Sequence, residues 1–178
     1  MEILRTISLY VEGKDMPFLL IGGHAVNAYG ISRQTGDVDF LVQRSKKEQW
    51  ITLLSKLRYT QGQNDDRFVK FKPDTIAAWP IDLMLVDDET FKKLSSEAQD
   101  VDLGSVIVKA ASPRHLIALK IHALKHYQEH RYAKDYGDLL QLLRTKCQNL
   151  RSEELREMCL RYADQALYDK LDSDLRRN

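Results

Sequence analysis

Asp37 and Asp39 stand two residues apart in the run Asp37-Val38-Asp39-Phe40-Leu41-Val42. On a strand, residues i and i+2 point to the same face, so the two carboxylates stand side by side. Hard oxygen ligands in that arrangement can hold a divalent cation. Upstream, the apolar run Phe18-Leu19-Leu20-Ile21 drives into Gly22-Gly23 and then into a helix-like segment. A glycine turn at a helix start can receive phosphate, because glycine lets the backbone approach and the free amides point outward. A phosphate cradle beside metal-binding carboxylates points to phosphoryl or nucleotidyl transfer. That chemistry uses two ions about 3.5–4 Å apart, ringed by at least two and usually three carboxylates. The third should come from a neighbouring strand, on the same face. Asp82 is the best candidate, near the start of Pro80-Ile81-Asp82-Leu83-Met84-Leu85-Val86. A lone carboxylate in so apolar a strand is expensive to bury unless it is paired or metal-bound. The plainer alternative is that Asp82 lies at an exposed strand end.

The elements that must position these groups follow from periodicity and punctuation. Residues 2–13 read as a short amphipathic helix with Ile3, Ile7 and Tyr10 on one face. Phe18–Ile21 is a short buried strand, His24–Tyr29 a helix closed by Gly30, and Val38–Val42 a second strand. Ser45-Lys46-Lys47-Glu48 has the form of a capping box and predicts a helix ending near Leu57. Arg67–Lys72 alternates like a half-buried strand, and Pro73-Asp74 is a turn signal. The apolar runs Ile76–Trp79 and Ile81–Val86 follow, the second the stronger strand. Residues 87–104 are acidic, with a short helix predicted around Glu89–Leu94, and Val106–Lys109 is a last short strand. Ser112-Pro113 then supplies an N-cap and a proline at the first helical position. From there to about residue 170 the chain reads as helix, with breaks near His130 and Asn149, and Asp164–Asn178 is expected to fray. The expectation is an α/β fold: a mixed sheet flanked by helices over residues 1–110, followed by a C-terminal helical bundle over residues 111–178.

The helical half carries its own polar positions. On a 3.6-residue period, Leu116, Lys120, Ala123, Leu124 and Tyr127 share a face, so Lys120 interrupts an apolar stripe and requires an anion. Tyr132, Asp135, Leu139 and Leu142 or Leu143 form the next face, with Asp135 on the inward stripe. A structural ion pair between Lys120 and Asp135 is one reading, and contact with a substrate phosphate is another. Asp138 reads as a polar helix residue. His122, His126 and His130 are spaced i, i+4, i+8, but nothing nearby supplies a fourth zinc ligand, so they read as a solvated basic face. With Arg114 and Lys134 that face could meet an RNA backbone.

Gly22-Gly23, Asp37-x-Asp39 and a later strand Asp82 resemble the nucleotidyltransferase superfamily related to DNA polymerase β. Gly22-Gly23-His24-Ala25 with Arg33-x-Thr35-x-Asp37-x-Asp39-Phe40 is similar to one branch, the AbiEii/AbiGii-type toxin nucleotidyltransferases and their bacterial relatives. The segments Leu116–Leu124 and Lys134-Asp135-Tyr136-Gly137-Asp138-Leu139 look like that family's two further motifs, a helical lysine and a later basic-Asp pair. The resemblance implies a nucleotidyltransferase fold and a Mg²⁺- or Mn²⁺-dependent transfer of NMP from NTP to a hydroxyl. It makes Asp37, Asp39 and Asp82 the metal ligands, and Gly22, Gly23, Arg33 and Thr35 the triphosphate and loop-ordering residues. It assigns Lys120 to the phosphates and Asp135 to a base or site-ordering role. It also implies RNA, plausibly a tRNA end, as acceptor, and a cognate antitoxin as partner. His24 stands where many of these relatives have Thr, and reads as a helix-capping or core histidine.

Composition sets the bounds. The chain has 178 residues, 43% hydrophobic and 30% charged, with a net charge of +1. That is ordinary globular composition with no global field for nucleic acid, so an RNA partner would need a local basic patch. The two cysteines, Cys147 and Cys159, form no disulfide framework or CxxC metal site, and the expected compartment is a reducing cytoplasm. No signal peptide is evident at the N-terminus, and no apolar run approaches the roughly 18 residues of a membrane span. Two other functions fit the same residues. One is nucleotidyl transfer to a small molecule, as in aminoglycoside-modifying enzymes. The other is a non-catalytic nucleotide- or partner-binding module, against which an intact acidic set argues, because clustered carboxylates repel without cations.

Overall fold

β1 (Phe18–Ile21) and β2 (Val38–Gln43) are the apolar runs either side of the glycine pair, and they pair antiparallel with Ile21 opposite Asp39. Both strands are almost wholly buried, as expected of strands covered on two faces. The computed structural model describes residues 2–125 and 129–177, which form two compact units, Met1–Ser112 and Pro113–Asn178.

In the first unit, α1 (Glu2–Val11) precedes β1, and α2 (Gly22–Ala28) joins β1 to the loop before β2. There follow α3 (Lys47–Lys56), β3 (Tyr59–Asn64), β4 (Phe68–Pro73), β5 (Ile81–Val86), α4 (Asp88–Ser96), β6 (Gln99–Asp102) and β7 (Ile107–Ala110). The seven strands form one mixed sheet in the order β3-β4-β5-β2-β1-β7-β6. β2 runs parallel to β5 and β1 parallel to β7, while the other neighbours are antiparallel. The β2–β5 register sets Asp39 opposite Asp82. One face of β2 is packed by α3: the Trp50 ring lies 6.1 Å from that of Phe40 and 5.9 Å, edge-on, from that of Phe18. Phe40 and Trp50 are fully buried. Because side chains alternate along β2, Asp39 is directed to the opposite face, the side of α2.

The structure departs from the sequence reading in several places. The expected capping box at Ser45 does not form: residues 44–46 make a 3₁₀ turn, α3 begins at Lys47, and the Ser45 hydroxyl donates to Asp88 Oδ1 at 2.7 Å. A long-range acceptor outcompetes the local backbone amide. Ile76–Trp79 is a connecting turn, with Ile76 fully exposed. β3 and β6 carry no strong signal because each buries a single side chain, Tyr59 and Val101 respectively. Pairing with a neighbour makes them strands.

The second unit consists of α5 (Pro113–Lys125), α6 (Glu129–Thr145), α7 (Ser152–Tyr162) and α8 (Gln165–Arg176). The expected break near Asn149 is present between α6 and α7, the one near His130 corresponds to the boundary between α5 and α6 at residues 126–128, which lie outside the described residues, and a further break falls at residues 163–164. The expected fraying is absent over α8: Asp164 caps it by accepting from the Leu167 amide at 2.9 Å, and Leu167 and Leu171 are buried. Tyr136 on α6 donates to Asp174 on α8 at 2.7 Å, and Arg144 donates to the Asp174 carbonyl at 2.8 Å, fastening the same two helices. Residues 126–128 lie outside the described residues, as does the side chain of His130. The histidine spacing and the Tyr127 position therefore have no structural counterpart among the described residues.

Candidate active site

Each carboxylate of the acidic set has a backbone reason for its place. Asp37 ends the loop before β2, Asp39 is the second residue of β2, and Asp82 is the second residue of β5. Strand register brings Asp39 and Asp82 together, and one oxygen from each of the three carboxylates lies within 4.8 Å of the others. All three residues are partly buried. Two unit charges that close repel by about 3 kcal/mol at an effective dielectric of about 20. The assembly is therefore expensive without positive charge. Part of that charge is present: Lys70, opposite Asp82 on β4, places Nζ 3.5 Å from Asp82 Oδ2.

The glycine pair is explained by the same site. Gly22 has φ +63°, and a Cβ there would fall 1.9 Å from Asp39 Oδ2, inside the carboxylate itself. A Cβ on Gly23 would fall 2.5 Å from Thr35 Oγ1 and 2.6 Å from Arg33 Nη2. The two glycines are the surfaces against which Asp39, Thr35 and Arg33 are pressed. Thr35 in turn donates to Asp37 Oδ1 at 3.2 Å. Asn27 on α2 ties the loop to the helix from both sides, donating to the Arg33 carbonyl at 3.0 Å and accepting from the Arg33 amide at 2.9 Å.

His24 is buried and stacked on Trp79, with ring centroids 4.6 Å apart and planes 18° from parallel. Burial pushes its imidazole below the ordinary value of 6.5, against a weaker upward pull from Asp37. A neutral core histidine is the result, as its apolar neighbours lead one to expect.

Three clustered carboxylates with no nitrogen or sulfur ligand suit a hard, oxygen-seeking cation such as Mg²⁺ or Mn²⁺. The missing Cβ at Gly22, without which Asp39 could not hold its position, supports the fit.

In the second unit, Lys120 on α5 is 8% exposed, and it meets two carboxylates from α6: Asp135 Oδ1 at 2.6 Å and Asp138 Oδ2 at 2.7 Å. The lysine on the apolar stripe has its anion, as the periodicity demands. Asp138 is not an ordinary polar helix residue: at 5% exposed it is a buried charge. The cluster carries one positive and two negative groups, so its net charge is −1 when all are ionised.

A family model described as nucleotidyl transferase AbiEii toxin, type IV TA system, matches residues 3–175. The chain belongs to the AbiEii nucleotidyltransferase family. It is thus an enzyme of the nucleotidyltransferase type. No curated protein matches the sequence. Among solved structures, the antibiotic-resistance factor ANT(2'')-Ia superposes with a TM-score of 0.66 at 12% identity, over 99% of this chain and 97% of its own. An antigenic nucleotidyltransferase-like protein from Paracoccidioides brasiliensis gives 0.59 at 14% identity, over 98% of this chain and 91% of its own. The lincosamide antibiotic adenylyltransferase LnuA, bound to lincomycin, gives 0.57 at 15% identity, over 80% and 94%. At these identities the likeness is one of fold.

Four residues around the sites of this AbiEii-family chain escape sequence reasoning. Asn27 gives no signal beyond its place on α2. Lys70 shows only as one lysine in an alternating strand, and its meaning depends on the β4–β5 register. Trp79 lies in a segment with no regular structure. Asp138 could have been found, since it lies three residues after Asp135 and i, i+3 neighbours share a helix face.

Gly22→Ala is expected to displace the Asp39 carboxylate and abolish nucleotidyl transfer, which a transfer assay beside a melting curve will show. Lys120→Ala strands buried Asp138 and part-buried Asp135 and should destabilise the protein by about 3 kcal/mol in denaturant unfolding. A lysine serving substrate alone would leave stability unchanged. Because the folded-state pKa of His24 is lowered, the unfolded chain binds its proton first. Stability should therefore fall as pH drops below about 6.5, and His24→Phe should flatten that part of a melting-temperature profile.

Proposed function

We propose that this enzyme transfers a nucleoside monophosphate from an NTP to a hydroxyl on RNA, such as a tRNA end, in a toxin–antitoxin setting. The observation that carries the reading is the convergence of Asp37, Asp39 and Asp82 at a glycine turn that has no room for side chains. The cognate antitoxin partner is supported by the family description alone, and the RNA acceptor by the motif resemblance alone. Such a setting is cytoplasmic, and no helix among the described residues is long and apolar enough to cross a membrane.

In the proposed reaction the acceptor oxygen attacks the α-phosphorus, a P–O bond forms, and the bond to the β-phosphate breaks to release pyrophosphate. Asp37, Asp39 and Asp82 would hold Mg²⁺ or Mn²⁺. When bound, the cation would supply charge stabilisation to the triphosphate and to the leaving pyrophosphate. Asp82 would help to take the hydroxyl proton. Gly22 and Gly23 expose backbone that can approach the triphosphate, and Arg33 offers a planar fork of donors beside them. Thr35 orders Asp37 through its hydroxyl. We assign residues 1–110 as the core that carries this chemistry and residues 111–178 as a helical subdomain. By family resemblance Lys120 contributes to the phosphates, and Asp135 is a base or site-ordering carboxylate. Their mutual ion pair favours the ordering role for Asp135.

A second reading is nucleotidyl transfer to a small molecule. It is favoured by the fold neighbours, which are an antibiotic-resistance factor and a lincosamide adenylyltransferase. The near-neutral charge of +1 is compatible with it. Incubation with Mg²⁺, each α-labelled NTP, and either total tRNA or a panel of aminoglycosides and lincosamides separates the two. Label on RNA supports the first reading, label on an antibiotic the second, and no label with NTP binding intact supports a binding module. Asp39→Ala is expected to lower transfer by at least about a thousandfold, the scale of losing a main electrostatic contributor. Its circular dichroism should not change. Persistent transfer in that variant overturns the ligand assignment.

A further inference from the structure

We propose that Lys70 is a built-in counter-ion of the acidic cluster, competing with a divalent cation for Asp82 and so setting how tightly that cation is held. The inference rests on the reading of Asp37, Asp39 and Asp82 as a cation site.

Three strands place one residue each in a row. Asp39 on β2 lies opposite Asp82 on β5, and Asp82 lies opposite Lys70 on β4. Val69 and Phe71, on either side of Lys70, are buried. Strand alternation therefore directs the Lys70 side chain to the other face, the one that carries Asp82. Its Nζ stands 3.5 Å from Asp82 Oδ2, which is ion-pair distance but longer than a tight charged hydrogen bond.

The two ends of the pair differ in their surroundings. The Lys70 side chain is 44% exposed, whereas that of Asp82 is 16% exposed. The carboxylate is fixed by its strand. The ammonium sits on a flexible four-carbon stem with water beside it and can leave at small cost. Lys120 in the second unit is the contrasting case. At 2.6 and 2.7 Å from two carboxylates, with a side chain 9% exposed, it is locked in place.

A lysine that compensates the metal-free cluster must oppose an incoming dication, because both neutralise the same oxygens. By mass action, a group that stabilises the metal-free form lowers apparent metal affinity. Removing Lys70 should then strengthen cation binding while weakening the metal-free fold. A purely structural lysine predicts the opposite: Asp82 would lose its support and the site would bind more weakly.

The test measures Mn²⁺ binding to the full chain by electron paramagnetic resonance of free Mn²⁺, at low ionic strength, with no nucleotide present. The proteins are the wild type, Lys70→Gln, Lys70→Met, Lys70→Arg and the neighbouring control Lys72→Gln. Melting curves with and without Mn²⁺ accompany each titration. Lys70→Gln and Lys70→Met should bind Mn²⁺ about two- to fivefold tighter, the scale of a part-exposed ion pair. They should melt lower without Mn²⁺ and gain more from it. Lys70→Arg and Lys72→Gln should track the wild type, and the differences should shrink as KCl is raised toward about 1 M. Equal or weaker Mn²⁺ binding by folded Lys70→Gln and Lys70→Met, with the wild type binding normally, overturns the role of Lys70 and leaves the cation site standing. Failure of the wild type to bind Mn²⁺ overturns both.

Discussion

The repulsion among three carboxylates held within 4.8 Å is the constraint around which the first unit is arranged. No local preference of the chain would assemble them. Strand pairing does it instead. The parallel register of β2 on β5 sets Asp39 against Asp82, and the backbone hydrogen bonds of six-residue strands hold the two charges at a separation they would not choose. The cluster is also crowded. Asp39 occupies the space that a side chain at position 22 would need, and Thr35 and Arg33 occupy the space above position 23. The glycine pair is thus required by the protein's own packing as well as by any phosphate that approaches it. Asn27 then anchors the loop carrying Arg33 to α2.

The two units handle buried charge in different ways. In the helical unit Lys120 is sealed between Asp135 and Asp138, and every group has a close partner. An arrangement of that kind organises two helices and resists substitution, because removing one member exposes the others to an apolar interior. In the sheet unit the ion pair is looser and reachable from solvent: half-exposed Lys70 stands 3.5 Å from Asp82. The loose pair stands beside the acidic cluster, and the tight one joins α5 to α6.

Much of this was readable before any coordinates. β1, β2 and β5 announce themselves as apolar runs, and the i, i+2 spacing of Asp37 and Asp39 marks them as neighbours, although Asp37 lies in the bend before β2 and not on the strand. Lys120 declared itself by interrupting an apolar stripe. Other elements stayed hidden for physical reasons. β3 and β6 bury one side chain each, so their strand character comes from partners distant in sequence. Ser45 looked like a helix cap, yet its hydroxyl found Asp88, 43 residues away. The last helix looked too charged to persist, but its cap at Asp164 and its two buried leucines hold it.

By itself, the sequence determined the types and local spacing of the chemical groups: a glycine pair, two carboxylates two residues apart where an apolar run begins, a third in another apolar run, and a lysine on an apolar helix face. Those follow from backbone periodicity, which is local. Only the tertiary structure decided that Asp39 fills the space above Gly22, that Lys70 faces Asp82, and that Asp138 shares Lys120 with Asp135. Each of these depends on register between elements. Register is settled by the sum of all the side chains buried across a sheet or a helix pair, and no short segment of the chain contains that sum.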